Sequence, residues 1–373
     1  MSRVVIAPDS FKGSLRATAV ARAIAAGWRD VDPDAEILLR PMADGGEGTL
    51  DAFAAAVPGA ERMAVSVVAP AGSMGERIGA TWLLLPGTPA APEGTAVVEL
   101  ASTCGIELYR SRREPWRAST RAFGEAIADA LAHGVSRLLL AVGSSASTDG
   151  GAGMLRALGA RIITTDGRAP ADGAEGLRDL AAVDLDRMRP LPPGGALVLT
   201  DVTAPLTGAA GAAAVFGSQK GFAAAELTHV DTALARYAAQ FDVDPNTPGA
   251  GAAGGTGFAL LAWGARLAPG AEEVAGLLGL ADAVGTASVV VTGEGAYDAQ
   301  SAAGKAPVHV AALAADAGAP VALVAGRIDP DADTSAFAET LSLTRLAGSG
   351  AAALADPARW LRDAGATLAR ALW

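Results

Sequence analysis

Val4-Val5-Ile6-Ala7, closed by Pro8-Asp9-Ser10-Phe11-Lys12-Gly13-Ser14, decides the fold class. A short unbroken apolar run reads as a strand buried on both faces, and the glycine- and hydroxyl-bearing segment after it as the turn into a helix. That helix carries Val20, Ile24 and Trp28 at four-residue spacing and ends before Asp32-Pro33. Ile37-Leu38-Leu39 reads as a second strand and residues 49–57 as a second helix, stopped by Pro58-Gly59. The far end repeats the pattern. Val289-Val290-Val291 is a strand, 306–317 a helix, and 321–324 a strand running into Ala325-Gly326. After the strand-like Leu341-Ser342-Leu343, a last helix opens at Asp356-Pro357, with Asp as cap and Pro in the first helical position. Strands alternating with helices at both ends predict parallel α/β structure.

The middle of the chain differs. Residues 63–68, 78–85 and 95–100 read as three strands separated by Gly/Pro turns, which predicts an antiparallel patch. A helix at 121–132 closed by Gly134, strands at 138–142, 162–163 and 197–199, a helix near 227–241 and a Gly-rich stretch at 249–257 follow. The pattern predicts an α/β protein of two domains, one discontinuous (1–62 with 285–373) and the other inserted between its halves (63–284). No internal repeat is present.

Charge narrows the function classes. The 29 basic residues face 40 acidic ones, a net charge of −11, so the chain has no broad positive field for nucleic acid or an anionic membrane. Only three of those basic residues are lysines: Lys12, Lys220 and Lys305. A bias toward Arg wherever either residue serves leaves lysines enriched at places that need a compact point charge. Cys104 is alone, which excludes an intrachain disulfide framework and a Cys-rich metal site. The first apolar run is too short for a signal peptide, and the longest uncharged run, 245–265, is broken by prolines and glycines. A cytoplasmic enzyme or ligand-binding protein, monomer or homodimer, is the expectation.

Five segments set acids or lysines among glycines beside a strand end or a helix start. The first is Asp9-Ser10-Phe11-Lys12-Gly13-Ser14, at the carboxyl end of the first strand, where open α/β sheets bind ligands. The second is Asp44-Gly45-Gly46-Glu47-Gly48-Thr49, whose glycines cost backbone entropy and add little packing. The third runs Gly143-Ser144-Ser145-Ala146-Ser147-Thr148-Asp149-Gly150-Gly151-Ala152-Gly153 into a helix, a ready anion site. The fourth opens with Asp201 at the end of an apolar strand and continues to Phe216-Gly217-Ser218-Gln219-Lys220-Gly221. The fifth is Thr292-Gly293-Glu294-Gly295-Ala296-Tyr297-Asp298-Ala299-Gln300-Ser301 with Gly304-Lys305, just ahead of a helix opened by Pro307. Lysines and helix N-termini hold phosphates, and carboxylates hold Mg²⁺ or orient an attacking hydroxyl, so this set points to phosphoryl transfer.

Familiar signatures fail. The fifth segment is not a Walker A loop, because Ala299 stands where that loop needs a glycine. Gly249-x-Gly251-x-x-Gly254 follows Asp244-Pro245-Asn246-Thr247-Pro248 and not a strand, which weakens a nicotinamide-dependent oxidoreductase reading. No G-x-S-x-G elbow surrounds Ser145 or Ser147, and His133, His229 and His309 lack metal spacing.

Together these motifs make the chain resemble the bacterial glycerate kinases of the glyoxylate and galactarate pathways. The motifs that carry the resemblance are Ala7-Pro8-Asp9-Ser10-Phe11-Lys12-Gly13-Ser14-Leu15, Ala43-Asp44-Gly45-Gly46-Glu47-Gly48-Thr49 and Thr148-Asp149-Gly150-Gly151-Ala152-Gly153-Met154. With them go Asp201-Val202, Pro205-Leu206, Phe216-Gly217 with Gln219-Lys220-Gly221, 249–255, and Thr292-Gly293-Glu294-Gly295 with Asp298, Gln300-Ser301 and Gly304-Lys305. The resemblance implies ATP- and Mg²⁺-dependent phosphorylation of D-glycerate, usually to 2-phosphoglycerate. It also implies a flavodoxin-like domain split around a second α/β domain, with the active site in the cleft between them. On it, Lys12, Asp44, Glu47 and Lys305 hold glycerate, helped by Asp9, Ser10, Glu294, Gln300 and Ser301. Asp298 orients or deprotonates the hydroxyl, and Asp201 is the second choice and the Mg²⁺ ligand. Gly143, Ser144, Ser145, Ser147, Asp149, Gly150, Gly151 and Lys220 hold nucleotide phosphates. A sugar-acid-binding sensor without turnover is the alternative. Three positions depart from the family's common pattern: Ser144 stands where a glycine is usual, Ser218 where a proline is, and Ala296 where an arginine is frequent. Ser144 must therefore accept the backbone angle that the glycine served.

Overall fold

The computed structural model describes residues 2–11, 13–43, 45–69, 76–109, 113–298, 301 and 306–372. Lys12, Asp44, Gln300 and Lys305 lie outside the described residues. In chain order the strands are β1 (Arg3–Pro8), β2 (Glu36–Leu39), β3 (Glu61–Val68), β4 (Arg77–Leu85), β5 (Thr95–Glu99) and β6 (Arg137–Ala141). They continue as β7 (Arg161–Thr164), β8 (Leu180–Asp184), β9 (Ala196–Leu199), β10 (Arg266–Ala268), β11 (Val289–Tyr297), β12 (Val321–Ile328) and β13 (Glu339–Ser342). Two compact units form, Met1–Asp44 with Asp51–Pro58 and Ala271–Trp373, and Gly45–Leu50 with Gly59–Gly270.

The first unit is built on a five-stranded parallel sheet in the order β13-β12-β11-β1-β2. Within that unit this is the flavodoxin-like order, and the direction of winding switches between β1 and β11. Val4 pairs with Val289 on one side and Ile37 on the other, so β1 is an interior strand. Val4 and Ile6 face one core with Val20, Ile24 and Trp28 of the helix Ala17–Arg29 and Leu361 and Leu368 of the helix Pro357–Leu372. Val5 and Ala7 face the other, with Val310 of the helix Ala306–Asp316 and Leu280. Alternate side chains of a strand point to opposite faces, and both faces are covered here, which is why the run is apolar without a break. Residues 271–284, expected with the inserted domain, pack in this unit, because Ala271, Ala275, Leu280 and Val284 share the core of Val5 and Val310.

Two local expectations are corrected. The Gly-Glu-Gly segment is not a loop: β11 runs on to Tyr297, beside a β12 that runs on to Ile328. Its glycines serve strand packing. A Cβ on Gly293 would lie 2.0 Å from the Val324 carbonyl oxygen, and one on Gly326 would lie 2.4 Å from that of Gly295. Leu343, read as strand, begins the short helix Leu343–Leu346 that follows β13. The last helix starts as expected at Pro357, with Asp356 accepting the Arg359 N–H at 3.3 Å.

The second unit carries a six-stranded sheet, β10-β9-β6-β5-β4-β3, in which β10, β9, β6 and β5 pair in parallel and β4 pairs antiparallel with both β5 and β3. The expected antiparallel patch is thus the edge of a mixed sheet. A separate hairpin pairs β7 with β8. The helix Arg121–His133 packs Phe123 and Ile127 on Leu138 and Leu140, and closes with Gly134 at φ 93°. The Gly-rich stretch opens the helix Ala252–Ala262, with Ala253, Gly254 and Gly255 in the left-handed region. Among the described residues no helix is long and apolar enough to cross a membrane.

In the first unit the helices Ala17–Arg29 and Pro357–Leu372 touch backbone to backbone through Gly27 and Gly365. A Cβ on Gly365 would lie 2.2 Å from the Ile24 carbonyl oxygen. Gly365→Ala is expected to destabilise this unit by about 1–3 kcal/mol through overpacking. Gly276→Ala, in a helix with nothing within 4 Å of the new methyl, is expected to stabilise by about 0.5–1 kcal/mol. Urea unfolding followed by circular dichroism reads both.

Candidate active site

In the first unit a cavity of 360 Å³ opens at the carboxyl ends of β1, β11 and β12. Asp9, Ser10, Glu294 and Asp298 all line it, so the structure brings these four expected residues together. Asp9 follows β1 directly, and its backbone N–H donates to the Gly293 carbonyl at 2.7 Å. Its carboxylate Oδ1 accepts the Ser10 N–H at 2.6 Å. Glu294 sits within β11 and is nearly buried. Asp298 comes just after β11, and its Oδ1 accepts both the backbone N–H of Ser301 at 3.1 Å and that residue's hydroxyl at 3.3 Å. Ser301, expected at substrate, is fully buried and braces Asp298. The wall also holds Phe11, Ser14, Arg327, Leu343 and Thr344, none of which was assigned a ligand contact from the sequence. Arg327 had no signal in sequence, since the apolar run of β12 ends before it.

The second unit gathers the residues expected at phosphate. Ser144 has φ 59°, the left-handed angle required of it in place of a glycine. Asp149 is fully buried and its carboxylate is consumed by the protein. Oδ2 accepts the Thr120 N–H at 2.9 Å, the Thr120 hydroxyl at 2.8 Å and the Gly153 N–H at 3.2 Å, while Oδ1 accepts the Gly151 N–H at 3.1 Å. The Thr120 hydroxyl oxygen in turn accepts the Met154 N–H at 2.9 Å. Asp149 therefore ties the starts of two helices, Arg121–His133 and Ala152–Ala157, into one knot. Burial raises its carboxyl above the ordinary carboxylate range, against the pull of these donors. Gly150 and Gly151 take φ 64° and 77°. The Gly150 N–H donates to the Gly254 carbonyl at 3.0 Å, which gives the 249–255 glycines a structural task beneath this loop.

Lys220 is not on a loop. It ends the helix Ala212–Lys220, which Gly221 closes at φ 108°. The glycine that suggested a loop, Gly217, is a packing glycine: a Cβ there would lie 2.5 Å from Cδ2 of Leu227. The Lys220 ammonium is buried, donating to the Ser145 hydroxyl at 2.8 Å and to the Ser147 carbonyl. Burial pushes its pKa down to about 7, while the Asp149 carboxylate and the Cys104 thiol oppose that shift. Lys220 thus holds Ser145 and Ser147 in place from inside the unit.

Glu99, at the end of β5, is a functional-looking acid that sequence reasoning missed. It is buried, and its Oε2 accepts the N–H groups of Gly48 and Leu50, each at 3.1 Å. The Gly143 N–H donates to the Gly45 carbonyl at 2.8 Å, and a Cβ on Gly45 would lie 2.2 Å from the Leu199 carbonyl oxygen. The glycines of the second motif are therefore required by close packing on the ends of β6 and β9. Glu47 is exposed among them. Asp201, just past β9, is exposed, and its Oδ1 accepts the Gly270 N–H at 2.8 Å. Among the described residues no three acids, histidines or cysteines converge to hold a metal ion.

The buried amine makes stability pH-dependent. Unfolded, Lys220 titrates near 10.5, and folded near 7, so between these values the unfolded chain binds more protons and stability rises with pH. Against Lys220→Met, the wild type is expected to gain relative stability from pH 7 toward 10, by up to about tenfold in the folding constant per pH unit. Paired urea titrations across that range check the sign.

The sequence of residues 4–373 matches the family model described as the glycerate kinase family. The glycerate 2-kinase of Escherichia coli (strain K12) is 40% identical over 337 residues, covering 88% of this chain and 86% of that protein. A glycerate kinase of Halalkalibacterium halodurans is 39% identical over 336 residues, with 88% and 86% covered. A solved chain from Salmonella typhimurium LT2, described as a "putative glycerate kinase 2", matches with a TM-score of 0.81 at 36% identity, covering 100% of this chain and 98% of that one. Matched along nearly its whole length to the family and to relatives this similar, the chain belongs to the glycerate kinase family and is a kinase.

Proposed function

We propose that the protein transfers the γ-phosphoryl group of ATP, supplied as its Mg²⁺ complex, to the 2-hydroxyl of D-glycerate, giving 2-phosphoglycerate and ADP. The observation that carries this reading is the cavity of the first unit, where Asp9, Ser10, Glu294 and Asp298 converge at the switch point of a parallel sheet in a chain of this family. Asp298 is the general base. The substrate oxygen attacks the γ-phosphorus, its proton passes to the Asp298 carboxylate, and the bond from γ-phosphorus to the β,γ-bridging oxygen breaks as ADP leaves. Ser301 donates twice to Oδ1 of Asp298 and so fixes the carboxylate's orientation before substrate arrives. Asp9, Ser10 and Glu294 hold the glycerate hydroxyls by accepting and donating hydrogen bonds, together with Lys12 and Lys305 toward its charge.

Within the second unit, the backbone N–H groups and hydroxyls of the 143–153 loop are the nucleotide-phosphate contacts in this reading. Lys220 and Asp149 then act as positioning residues: both side chains are buried and spent on holding that loop's shape. Asp44, Glu47 and Asp201 remain supporting contacts, with Asp201 as the contact toward the nucleotide's Mg²⁺.

Purified protein with Mg-ATP is expected to release ADP only when D-glycerate is added. Asp298→Asn is expected to lower kcat by about 10²–10⁴-fold with little change in KM, the range for losing a general base. No glycerate-dependent ADP release from the wild type would overturn the reaction, and near-normal turnover in Asp298→Asn would overturn the role of that residue.

A further inference from the structure

Ala296 and Arg327 are register partners in the parallel pair β11–β12, and both line the cavity of the first unit. Paired residues of neighbouring strands project to the same face, with backbones about 4.8 Å apart. The methyl of Ala296 leaves room beside it, and Gly295 and Gly326, which immediately precede the two residues of the pair, add no side chain. The backbone that carries Arg327 is braced at both ends. The Thr344 hydroxyl donates to the Gly326 carbonyl at 2.9 Å, and the Asp329 N–H donates to the Tyr297 carbonyl at 2.9 Å.

Charge gives the pair a task. The described lining of the cavity carries three carboxylates, Asp9, Glu294 and Asp298, and one cation, Arg327. Among the described residues the Arg327 side chain is exposed and makes no hydrogen bond or ion pair. An uncharged polyol can enter such a cavity without a cation, but a small carboxylic acid at neutral pH meets like charge and needs positive charge, which Arg327 supplies from the described wall beside the roles proposed for Lys12 and Lys305. A guanidinium offers a planar fork that matches a carboxylate with two parallel hydrogen bonds and stays charged at every working pH.

We propose that Arg327 binds the carboxylate of the small hydroxy-acid substrate and makes the enzyme select acids over the corresponding neutral polyols. This rests on the phosphoryl-transfer reading above. Ala296 brings no charge to the paired position, so Arg327 is the one cation of the described wall.

The test uses the full-length chain with Arg327→Ala, Arg327→Lys and the double change Ala296→Arg with Arg327→Ala. Arg327→Ala is expected to raise the KM for glycerate by about 10- to 100-fold, the range for charge-assisted hydrogen bonds. Its kcat and its KM for ATP should stay within about twofold, and its urea midpoint should not move, as for an exposed surface change. Arg327→Lys should fall between, and the double change should recover most of the loss. Selectivity for glycerate over glycerol should fall in Arg327→Ala. An unchanged KM for glycerate, or a rise in the KM for ATP instead, would overturn the proposal. Calorimetric titration with glycerate separates the two claims without turnover. Binding by the wild type that is lost in Arg327→Ala supports the arginine even if no ADP is released, a result that would remove the kinase reading alone. Equal binding by both proteins would remove the arginine.

Discussion

The burial of β1 on both faces is the constraint on which the first unit depends. Val4, Val5, Ile6 and Ala7 have no exposed surface, and burying a Val or Ile side chain is worth about 1.5–3 kcal/mol. A strand so buried belongs in the interior of the sheet, and here it lies between β2 on one side and β11 on the other. Its carboxyl end then falls at the reversal of strand order, and Pro8-Asp9 carries the first acid out of the sheet there. The Asp9 N–H still bonds the Gly293 carbonyl, so the acid leaves the sheet from a fixed point. Glu294 and Asp298 reach the same cavity because glycines let β11 and β12 approach closely. Packing therefore sets the acids' positions before any ligand is present.

The second unit applies the same logic to polar groups. Asp149 and Lys220 are buried in an interior where an unpaired charge is costly, and each is held by several hydrogen bonds. Their hydrogen bonds hold the loop in one shape, here with Ser144 in a left-handed conformation that costs a non-glycine residue energy. Of the three lysines, Lys220 is the one among the described residues, and its site explains why a compact ammonium is present. A bulkier guanidinium would have to share the space between the Ser145 hydroxyl, the Ser147 carbonyl and Gly254, whose added Cβ would lie 2.9 Å from Nζ.

Much of this was legible in the sequence, and the limits have physical reasons. The alternation of β1 between two cores, its following helix and the Pro357 start are local patterns with known periods, and they read correctly. The convergence of Asp9, Glu294 and Asp298 on one cavity was legible because acids among glycines at a strand end suggest a polar site more than packing. What misled was the double use of glycine. Gly293, Gly295 and Gly326 look like loop residues but admit a close strand pair, and Gly217 looks like a loop residue but lies inside a helix. Glu99, Thr120 and Arg327 were missed because their meaning is wholly tertiary. Glu99 acquires its partners 51 and 49 residues away in sequence, and Arg327 acquires its significance from a register partner on another strand.

The most direct measurement is phosphorus NMR of the product formed from Mg-ATP and D-glycerate by the purified wild-type chain. A single new phosphomonoester resonance assigned to 2-phosphoglycerate, growing in step with ADP, is the result expected of Asp298 acting on the 2-hydroxyl. A 3-phosphoglycerate resonance would contradict that placement, and unchanged ATP would contradict the reaction itself.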